Sequence, residues 1–383
     1  MKKLAYSIGL MRRSFLLLIF ALFSVTGHSQ TKTALLQHFK RGINLGGWIS
    51  QYQMWDKINF DTFISEKDLE LISSWGMDHV RLPVDCDLIE ADLPPFSMKE
   101  AGLRHIDDCL KWCKAHNLAL IIDLHRAPGY SFENTLKGAD KSKNQLWTNS
   151  SLQERYINIW KSMATRYRDT KTNLIFELLN EVEGVDASVW NSLAGKTVEA
   201  IRKIDPDRII MIGSTNYNSV FGLKNIAIIN DPNIVYTFHF YEPLVFTHQK
   251  APWVNASVDY NKTLEYPGIF PDLEVFLKSH PEYENNLGRY RGRKLDGETM
   301  RTDLQPAFDF MKKTGKELYC GEFGVYNRTS PESTKAWFSD LIKLLNDSNI
   351  GHAVWSYKDD GFGFVNSVTS APLNVDLIKL VSQ

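Results

Sequence analysis

Eight short apolar or β-branched runs alternate with amphipathic stretches, and this alternation constrains the fold of the chain more than any other feature. Such a pattern is typical of βα units wound around a parallel sheet. The predicted strands cover residues 41–45, 79–84, 119–125, 173–180, 208–214, 234–241, 317–324 and 352–358. The predicted helices cover residues 66–75, 99–116, 152–168, 187–204, 300–313, 331–345 and 374–381, and residues 216–224 are only weakly helical.

The strand count favours one closed barrel over a doubly wound sheet. No Gly/Ser/Pro-rich linker divides the 383 residues. The first predicted strand leads into Asn-Leu-Gly-Gly-Trp at residues 44–48, which is not the glycine motif of a dinucleotide-binding turn. Residues 242–298, after the sixth predicted strand, are irregular and long enough to predict an extended functional loop or a small subdomain. We therefore expect an α/β protein with a single (β/α)8 TIM barrel over residues 30–383.

The charge balance argues against polyanionic partners. Lys and Arg number 44 against 45 Asp and Glu, so the net charge of −1 offers no broad attraction for nucleic acid or anionic lipid. Aromatic residues make up 12% of the chain, including 10 Trp. Flat aromatic faces suit neutral, weakly polar ligands such as sugars. The oligomeric state is not readable from the sequence.

The N-terminus has the pattern of an export signal over residues 1–29. Four basic residues (Lys2, Lys3, Arg12 and Arg13) precede an apolar run at residues 15–23. This run is shorter than the roughly 20 residues that span a hydrocarbon core, so a retained anchor is the weaker alternative. We expect an exported protein, periplasmic or extracellular, without a membrane anchor. Its four cysteines are too few for a disulfide scaffold, and we expect structural thiols.

Polar or aromatic side chains interrupt or close the apolar strands near their carboxyl ends, where the catalytic groups of a barrel gather. Burying such groups costs several kcal/mol unless they are paired, so one shared rim explains them better than separate structural roles. These residues are Arg81, His125, Asn180, Glu181, His239, Tyr241, Glu322 and Trp355.

Two of these residues, Glu181 and Glu322, decide the reaction class. They follow strands three apart in the barrel, so their side chains can reach toward each other across its mouth. Retaining glycoside hydrolysis needs two carboxyl groups about 5–5.5 Å apart, one as proton donor and one as nucleophile, and no metal or other cofactor. Each glutamate alone is more often structural, and only the whole set of rim residues favours catalysis.

Seven strand-end motifs resemble those of glycoside hydrolase family 5, the cellulase-type retaining β-glycosidases. They are RGINLGGW (41–48), HVRLP (79–83), IDLH (122–125), FELLNE (176–181), HFY (239–241), YCGEFG (319–324) and VWS (354–356). The resemblance implies a (β/α)8 barrel, acid/base catalysis by Glu181 and nucleophilic attack by Glu322. It also implies supporting roles for Arg81, His125, Asn180, His239, Tyr241 and Trp355.

Physical roles can be assigned beside the resemblance. Arg81 and Tyr241 are expected to donate hydrogen bonds to Glu322 and to lower its pKa. Asn180 suits the sugar 2-hydroxyl, His125 and His239 could position Glu181 or the sugar, and Trp355 offers a platform under the sugar. Trp48 and Trp253 are candidates for stacking on further sugar units. Glu177 is expected to be a buried partner of a basic residue, and Asp123 either lines the cleft or pairs with a basic neighbour.

The main hypothesis is a secreted retaining glycosidase that cleaves a β-glucan, with a β-linked oligo- or polysaccharide as its partner. An exo-acting β-1,3-glucanase activity of the same family remains open, because residues 242–298 could wall off one end of the cleft. A β-mannanase activity also remains open, because recognition of a sugar's axial or equatorial hydroxyls depends on loop geometry. A non-catalytic carbohydrate-binding barrel is disfavoured because both carboxylates are present. A metal-dependent hydrolase is disfavoured because His125 and His239 stand alone in the sequence rather than in a His-x-His motif.

Overall fold

The computed structural model describes residues 37–52, 55–136, 138–170, 173–359 and 361–383. The predicted export signal at residues 1–29 lies outside these ranges. Within them, the helices are all too short or too polar to cross a membrane. The four cysteines lie in the described part of the chain and carry free thiols, as expected.

Eight parallel strands close into a barrel in the spatial order β1, β2, β3, β4, β5, β6, β9, β10, which confirms the predicted architecture. A separate two-stranded antiparallel ribbon, β7 and β8, lies outside the barrel. The strands are β1 (Arg41–Asn44), β2 (His79–Asp85), β3 (Ala119–Arg126), β4 (Leu174–Glu177), β5 (Ile209–Gly213), β6 (Ile234–Phe240), β7 (Gly268–Ile269), β8 (Lys294–Leu295), β9 (Leu318–Phe323) and β10 (Gly351–Val354).

Amphipathic helices surround the barrel, and most of the long ones begin at side chains that cap free backbone N–H groups. Asn149, for example, accepts hydrogen bonds from the first turn of α5. The α-helices are α1 (Lys57–Thr62), α2 (Glu66–Ser74), α3 (Cys86–Ile89), α4 (Glu100–Ala115), α5 (Ser150–Tyr167), α6 (Ala187–Arg202), α7 (Leu244–Thr247), α8 (Asn255–Tyr260), α9 (Leu273–Ser279), α10 (Glu284–Leu287), α11 (Gly297–Thr314), α12 (Pro331–Asp347) and α13 (Val375–Val381). Short 3₁₀ turns cover Phe132–Thr135, Lys141–Lys143, Val220–Asn225, Pro281–Tyr283 and Gly288–Tyr290.

The core has two parts, because alternate side chains of each strand point into the barrel or out toward the helices. The outward side chains join the apolar faces of the helices in one large cluster. The inward cluster fills the lower barrel and includes Ile121, Ile175, Met211 and Val235. Polar residues replace apolar ones in the layers above it, toward the carboxyl ends of the strands. Hydrophobic packing thus supports a polar floor at the mouth of the barrel.

Residues 242–298 form a small subdomain, which was one of the two predicted alternatives, the other being an extended loop. It contains α7 to α10 and the β7–β8 ribbon. Aromatic side chains give it a core of its own, in which Phe270 stacks on Tyr290 with ring centroids 5.1 Å apart and Phe276 packs edge-on against Tyr260 at 4.9 Å. Its short elements were not predicted from the sequence, because none is long enough to show a clear hydrophobic period.

The fourth strand is shorter than predicted, and the difference bears on the site. The ladder of β4 ends at Glu177 rather than at Asn180. Beyond it, single backbone hydrogen bonds from Leu178 to Met211 and from Asn180 to Leu124 guide the chain upward. Glu181 then adopts a left-handed backbone conformation with φ +43°. The chain therefore leaves the barrel wall before it reaches the two polar residues that the sequence placed at its end.

Candidate active site

Arg81 lies at the centre of the polar layer and has no exposed surface. Its Nε and Nη2 donate to the two oxygens of Glu177 at 2.7 and 3.0 Å. Its Nη1 donates to Glu322 at 2.7 Å and to Asn44 at 2.9 Å, and its Nη2 lies 3.1 Å from Asp123. One guanidinium thus faces three carboxylates. The predicted ionic partnership of Glu177 is confirmed, and Asp123 lies in the same network.

Glu322 projects from β9 with two donors on its carboxylate. Arg81 binds one oxygen, and the Tyr241 hydroxyl donates to the other at 3.1 Å. Burial nevertheless raises the pKa of Glu322, and the attraction of Arg81 opposes this shift without reversing it. Arg81 thus lowers the pKa of Glu322 as predicted, but burial outweighs this effect, so the expected net lowering is corrected to a net rise. Burial also raises the pKa of Tyr241 well above its usual range, so its hydroxyl remains a donor.

Glu181 is held from two sides. Its Oε1 lies 2.9 Å from Nδ1 of His239, a residue placed at a local irregularity in the pairing of β6 with β9. The Tyr130 hydroxyl donates to the Glu181 carbonyl at 2.6 Å and accepts from the backbone N–H of Glu183 at 2.9 Å. Left-handed backbone is unfavourable for a residue with a side chain. The bridge through Tyr130 thus fixes the turn that aims Glu181 into the barrel mouth.

Replacing Tyr130 by phenylalanine should therefore lower the kcat of a reaction that uses Glu181 by about tenfold, the rate equivalent of one lost hydrogen bond of about 1–1.5 kcal/mol. The Glu181 carbonyl would lose its donor, and the turn would gain alternative conformations. Steady-state kinetics measures the effect. Tyr260→Phe is the matched control, because the Tyr260 hydroxyl also donates to a backbone carbonyl, that of Pro271, but within the subdomain. Equal kcat values in the two variants would contradict the positioning role.

The two glutamates converge as the sequence predicted. One oxygen of Glu181, one oxygen of Glu322 and one ring nitrogen of His239 all lie within 4.8 Å of one another. A nucleophile and a proton donor in a double displacement need about 5–5.5 Å, whereas a single displacement needs about 6.5–9.5 Å to admit water between the carboxyl groups. The same three ligand atoms could hold a divalent metal ion, although the neighbouring guanidinium of Arg81 opposes a second cation there.

Burial and mutual repulsion give the carboxyl groups of Glu181 and Glu322 different pKa values. Desolvation, followed by the charge of Glu322, raises the pKa of Glu181 well above its usual value. The positive charge of Arg81 stabilises the ionised form of Glu322, whereas the hydrogen-bond partner of the Glu181 carboxyl is the ring of His239. Glu322 is thus the first of the two to ionise, and Glu181 is the one that keeps a proton.

His125 is a neutral ring that orients Asn180. Its Nδ1 lies 2.7 Å from Asp123, and its Nε2 lies 3.0 Å from the amide nitrogen of Gln51 and 3.2 Å from that of Asn180. Since amide nitrogens only donate, Nε2 accepts and Nδ1 carries the proton. Burial lowers the pKa of His125 to about 3 and raises that of Asp123 to about 7. The side-chain oxygen of Asn180 accepts from Arg81 at 3.0 Å, and its amide nitrogen has a second hydrogen beyond the bond to His125.

Trp355 lies at the mouth beside His125, with the two rings stacked at 5.9 Å and 16°. Gly46 lies against this indole, and a methyl group at that position would come within 2.8 Å of it. The lack of a side chain at Gly46, in the first strand-end motif, thus makes room for the Trp355 indole. Trp355 is 6% exposed, and its role as a platform under a sugar stays a prediction.

The two other predicted stacking residues differ. Trp48 is 1% exposed, donates from Nε1 to the Phe60 carbonyl at 2.7 Å and stacks on Trp112. Its predicted contact with sugar is thus corrected to a packing role, because its ring is covered inside the core. Trp253 belongs to the subdomain, is 44% exposed and packs edge-on against Tyr326 at 5.1 Å. It remains available to a ligand.

Sequence reasoning missed three residues that shape the site. Asn44 donates to the carbonyls of Gly321, Ala353 and Val354 while it accepts from Arg81. Gln51 contacts His125, and Tyr130 holds Glu181. Asn44 could have been recognised from the sequence, because it is a polar residue at the end of an apolar strand. Gln51 and Tyr130 lie in loops, where the sequence gives no sign of what they touch.

Comparisons with known proteins agree with this geometry. Residues 39–361 match the model of the cellulase family, glycosyl hydrolase family 5. The chain is 46% identical to endoglucanase C of Acetivibrio thermocellus over 350 residues, covering 90% of this chain and 98% of the relative. It is 33% identical to cellodextrinase A of Ruminococcus flavefaciens, covering 81% of this chain and 83% of that one.

Solved structures show the same fold. The crystal structure of endoglucanase Cel5A from Thermotoga maritima superposes with a TM-score of 0.72 at 24% identity, over 91% of this chain and 99% of that one. Structures of that protein have been determined with cellobiose and with mannotriose. At this level of identity the likeness supports the fold alone.

Proposed function

The chain belongs to glycosyl hydrolase family 5 and is a glycoside hydrolase, and from this premise we propose that it cleaves β-glucosidic bonds of a β-glucan as an endoglucanase does. In this proposal Glu322 is the nucleophile and Glu181 is the acid/base. The observation that carries the assignment is the approach of their oxygens to within 4.8 Å, on side chains from β9 and from the loop after β4.

The first step forms a glycosyl–enzyme ester. The ionised Glu322 attacks the anomeric carbon while Glu181 gives its proton to the departing glycosidic oxygen. Arg81 and Tyr241 keep the attacking carboxylate oriented through their hydrogen bonds of 2.7 and 3.1 Å. The free amide hydrogen of Asn180 is suited to the sugar 2-hydroxyl, whose hydrogen bond strengthens as positive charge develops on the ring.

The second step hydrolyses the ester. Once Glu322 is esterified its negative charge is gone, so the repulsion that raised the pKa of Glu181 disappears. Glu181 then takes a proton from water as the water attacks the anomeric carbon, and the Glu322 carboxylate leaves. Two inversions give net retention of configuration. His239, whose own pKa is lowered well below its usual value by burial, stays neutral throughout and donates to Glu181.

The pH dependence of kcat/KM should follow from these two carboxyls. Activity requires Glu322 ionised and Glu181 protonated, so it rises through the lower and falls through the higher apparent pKa of the pair. Both pKa values are raised, so the optimum is expected at higher pH than two free glutamates would give. In Glu181→Gln the alkaline decline should disappear. An unchanged decline in that variant would show that another group supplies the proton.

Glu181→Gln should also lower kcat by about 10²–10⁴-fold on an unactivated cello-oligosaccharide, because the leaving alkoxide is no longer protonated. An aryl glycoside with an acidic phenol needs less help, so its first step should suffer much less. Rates for the two substrates give the measurement. His280→Gln is a control, since His280 lies in the subdomain and contacts Phe276. An equal loss on both substrates would contradict the acid role.

The substrate assignment is tested by a panel of defined glycans: soluble β-1,4-glucan, β-1,3-glucan, xyloglucan and mannan. The proposal expects rapid loss of viscosity with few reducing ends on β-1,4-glucan, which indicates internal cleavage. Release of only short sugars from chain ends, or preference for mannan, would overturn the endoglucanase assignment. A mannan arm is included because a structural neighbour has been determined with mannotriose.

We also propose that the protein is exported through the segment at residues 1–29 and acts on polymer outside the cytoplasm. Basic residues followed by a short apolar run support this. N-terminal sequencing of the protein from a culture medium or periplasmic fraction tests it. Recovery of the intact N-terminus from the cytoplasm alone would contradict it.

A further inference from the structure

Tyr241, which donates a hydrogen bond to Glu322, lies just beyond the end of its strand. β6 ends at Phe240, where the last pair of its ladder with β9 joins Phe240 to Phe323. The sheet therefore does not hold the backbone of Tyr241, although its hydroxyl lies 3.1 Å from a Glu322 oxygen. Hydrogen bonds weaken steeply when their geometry is disturbed. The alignment of this donor thus depends on contacts outside the barrel wall.

The first helix of the subdomain and the residue after it hold Tyr241 directly. The Thr247 hydroxyl, at the end of α7, donates to the Tyr241 carbonyl at 2.6 Å. The ring of His248 packs edge-on against the Tyr241 ring, with centroids 5.0 Å apart and an interplanar angle of 69°. Both residues are buried. Phe362, outside the subdomain, adds a more distant ring contact at 6.3 Å. The backbone and the ring of Tyr241 are therefore both restrained from the subdomain.

The next residue along the chain, Glu242, is fixed at both of its polar ends. Its carboxylate pairs with Arg289 of the subdomain, and the Tyr290 hydroxyl lies 3.3 Å from the same carboxylate oxygen. Its carbonyl accepts from Nε1 of Trp337, a residue of α12, at 3.0 Å. Because Glu242 follows Tyr241 directly, these contacts also restrain the peptide that joins the two residues.

Arg289 connects the subdomain to elements that surround the barrel. Its guanidinium lies 4.5 Å from the ring of Phe221, in the 3₁₀ turn after β5, and its Nε lies 3.5 Å from Asp303 of α11. Burial raises the pKa of both Glu242 and Asp303, and the attraction of Arg289 opposes each shift. Removing this guanidinium would leave the Glu242 carboxylate without its ionic partner, which favours movement of the turn that follows Tyr241.

We propose that Thr247 and Arg289 are positioning residues through which the subdomain keeps the Tyr241 hydroxyl aimed at the nucleophile. We call Glu242, Thr247, His248 and Arg289 the brace. This inference rests on the proposed function, because the brace acts through Glu322. A subdomain that only walled off one end of the cleft would need no such contacts with Tyr241.

Rates on an aryl β-cellobioside with an acidic phenol test the brace, because this substrate needs little proton donation and its first step depends on attack by Glu322. Thr247→Val replaces the hydroxyl with a methyl group of similar size. It should lower kcat/KM about five- to tenfold, the rate equivalent of one lost hydrogen bond. Thr247→Ser keeps the hydroxyl and should retain most of the parent value. An equal loss in the two variants would show that packing, rather than the hydrogen bond, is what matters at this position, and would contradict the proposal.

Arg289→Met tests the ionic part of the brace and should lower kcat/KM at least as much as Thr247→Val. Arg291→Met is the matched control, because Arg291 also belongs to the subdomain but pairs with Glu274 and Glu284 within it. It should match the parent enzyme. Circular dichroism checks that each variant is folded, and the Thr247 variants decide the question if Arg289→Met does not fold.

A double-mutant cycle separates positioning from general damage to the fold. If Thr247 and Arg289 act through Tyr241, each substitution should cost less than about twofold in a Tyr241→Phe background, because the hydroxyl that they aim is already absent. Losses that multiply in the double variants, or an unchanged kcat/KM in Thr247→Val, would overturn the brace while the proposed function stands. A parent enzyme that hydrolyses no β-glycoside would overturn the proposed function, and the brace with it.

Discussion

Replacing Glu322 by alanine is expected to reduce kcat on β-glucan by roughly 10⁴–10⁶-fold, the scale seen when a covalent nucleophile is removed from other enzymes. The reason is that the glycosyl–enzyme ester can no longer form, and water that enters the vacated space finds no carboxylate on that side of the sugar to activate it. Initial rates on a soluble β-glucan measure this loss, and circular dichroism checks that the variant is folded.

A small anion should restore part of the activity of Glu322→Ala. The lost carboxylate leaves space beside Arg81 and Tyr241, both of which can donate to an anion such as azide. Azide would attack an activated aryl β-glycoside from the side that Glu322 occupied, which inverts the product to an α-glycosyl azide. Residual turnover near the parent level, or rescue of Glu181→Ala by azide with the same α-product, would contradict the assignment of Glu322.

Arg81→Met is expected to lower the free energy of unfolding by about 3–5 kcal/mol and to abolish most activity. Glu177, Asp123 and Glu322 all lie within 3.1 Å of the guanidinium, so its loss leaves buried carboxylates without a counter-ion. They would respond by binding protons. Protonated Glu322 cannot attack, so kcat should fall even in conditions where the protein stays folded, and stability should be least impaired at low pH.

Urea unfolding and activity at several pH values measure both effects. Arg208→Met is the matched control, because Arg208 is also buried and pairs with Asp205 but lies outside the site. It should lose stability without losing kcat per folded molecule. An Arg81→Met enzyme that turns over normally, or that is destabilised no more at neutral than at acid pH, would contradict the central place of Arg81 in this network.

The architecture followed from the sequence because the apolar runs are long and their polar interruptions fall at one end. Every predicted barrel strand exists, and Arg81, His125, Asn180, Glu181, His239, Tyr241, Glu322 and Trp355 lie at the barrel mouth. Parallel strands in a closed barrel have all their carboxyl ends on one face. A polar residue that ends a predicted strand can therefore be assigned to the barrel mouth before any tertiary contact is known.

Other features depend on contacts that a linear pattern does not encode. The left-handed turn at Glu181 is fixed by Tyr130, some fifty positions earlier in the chain. The raised pKa of Glu322 arises because burial outweighs the attraction of Arg81, and only the packed structure shows how deeply this carboxyl is buried. Trp48 was misplaced because a tryptophan after a glycine turn is compatible with both the cleft and the core, and here Trp112 and Phe60 draw it into the core.

Covalent trapping on the enzyme tests the account most directly. A 2-deoxy-2-fluoro cellobioside with a good leaving group slows both steps, and the second more than the first, so the ester should accumulate on the nucleophile. Peptide mass spectrometry of the inactivated protein is predicted to find a single added glycosyl group, on Glu322, at one equivalent per chain. Label on any other residue, or turnover of an ordinary substrate to the inverted anomer, would contradict the account.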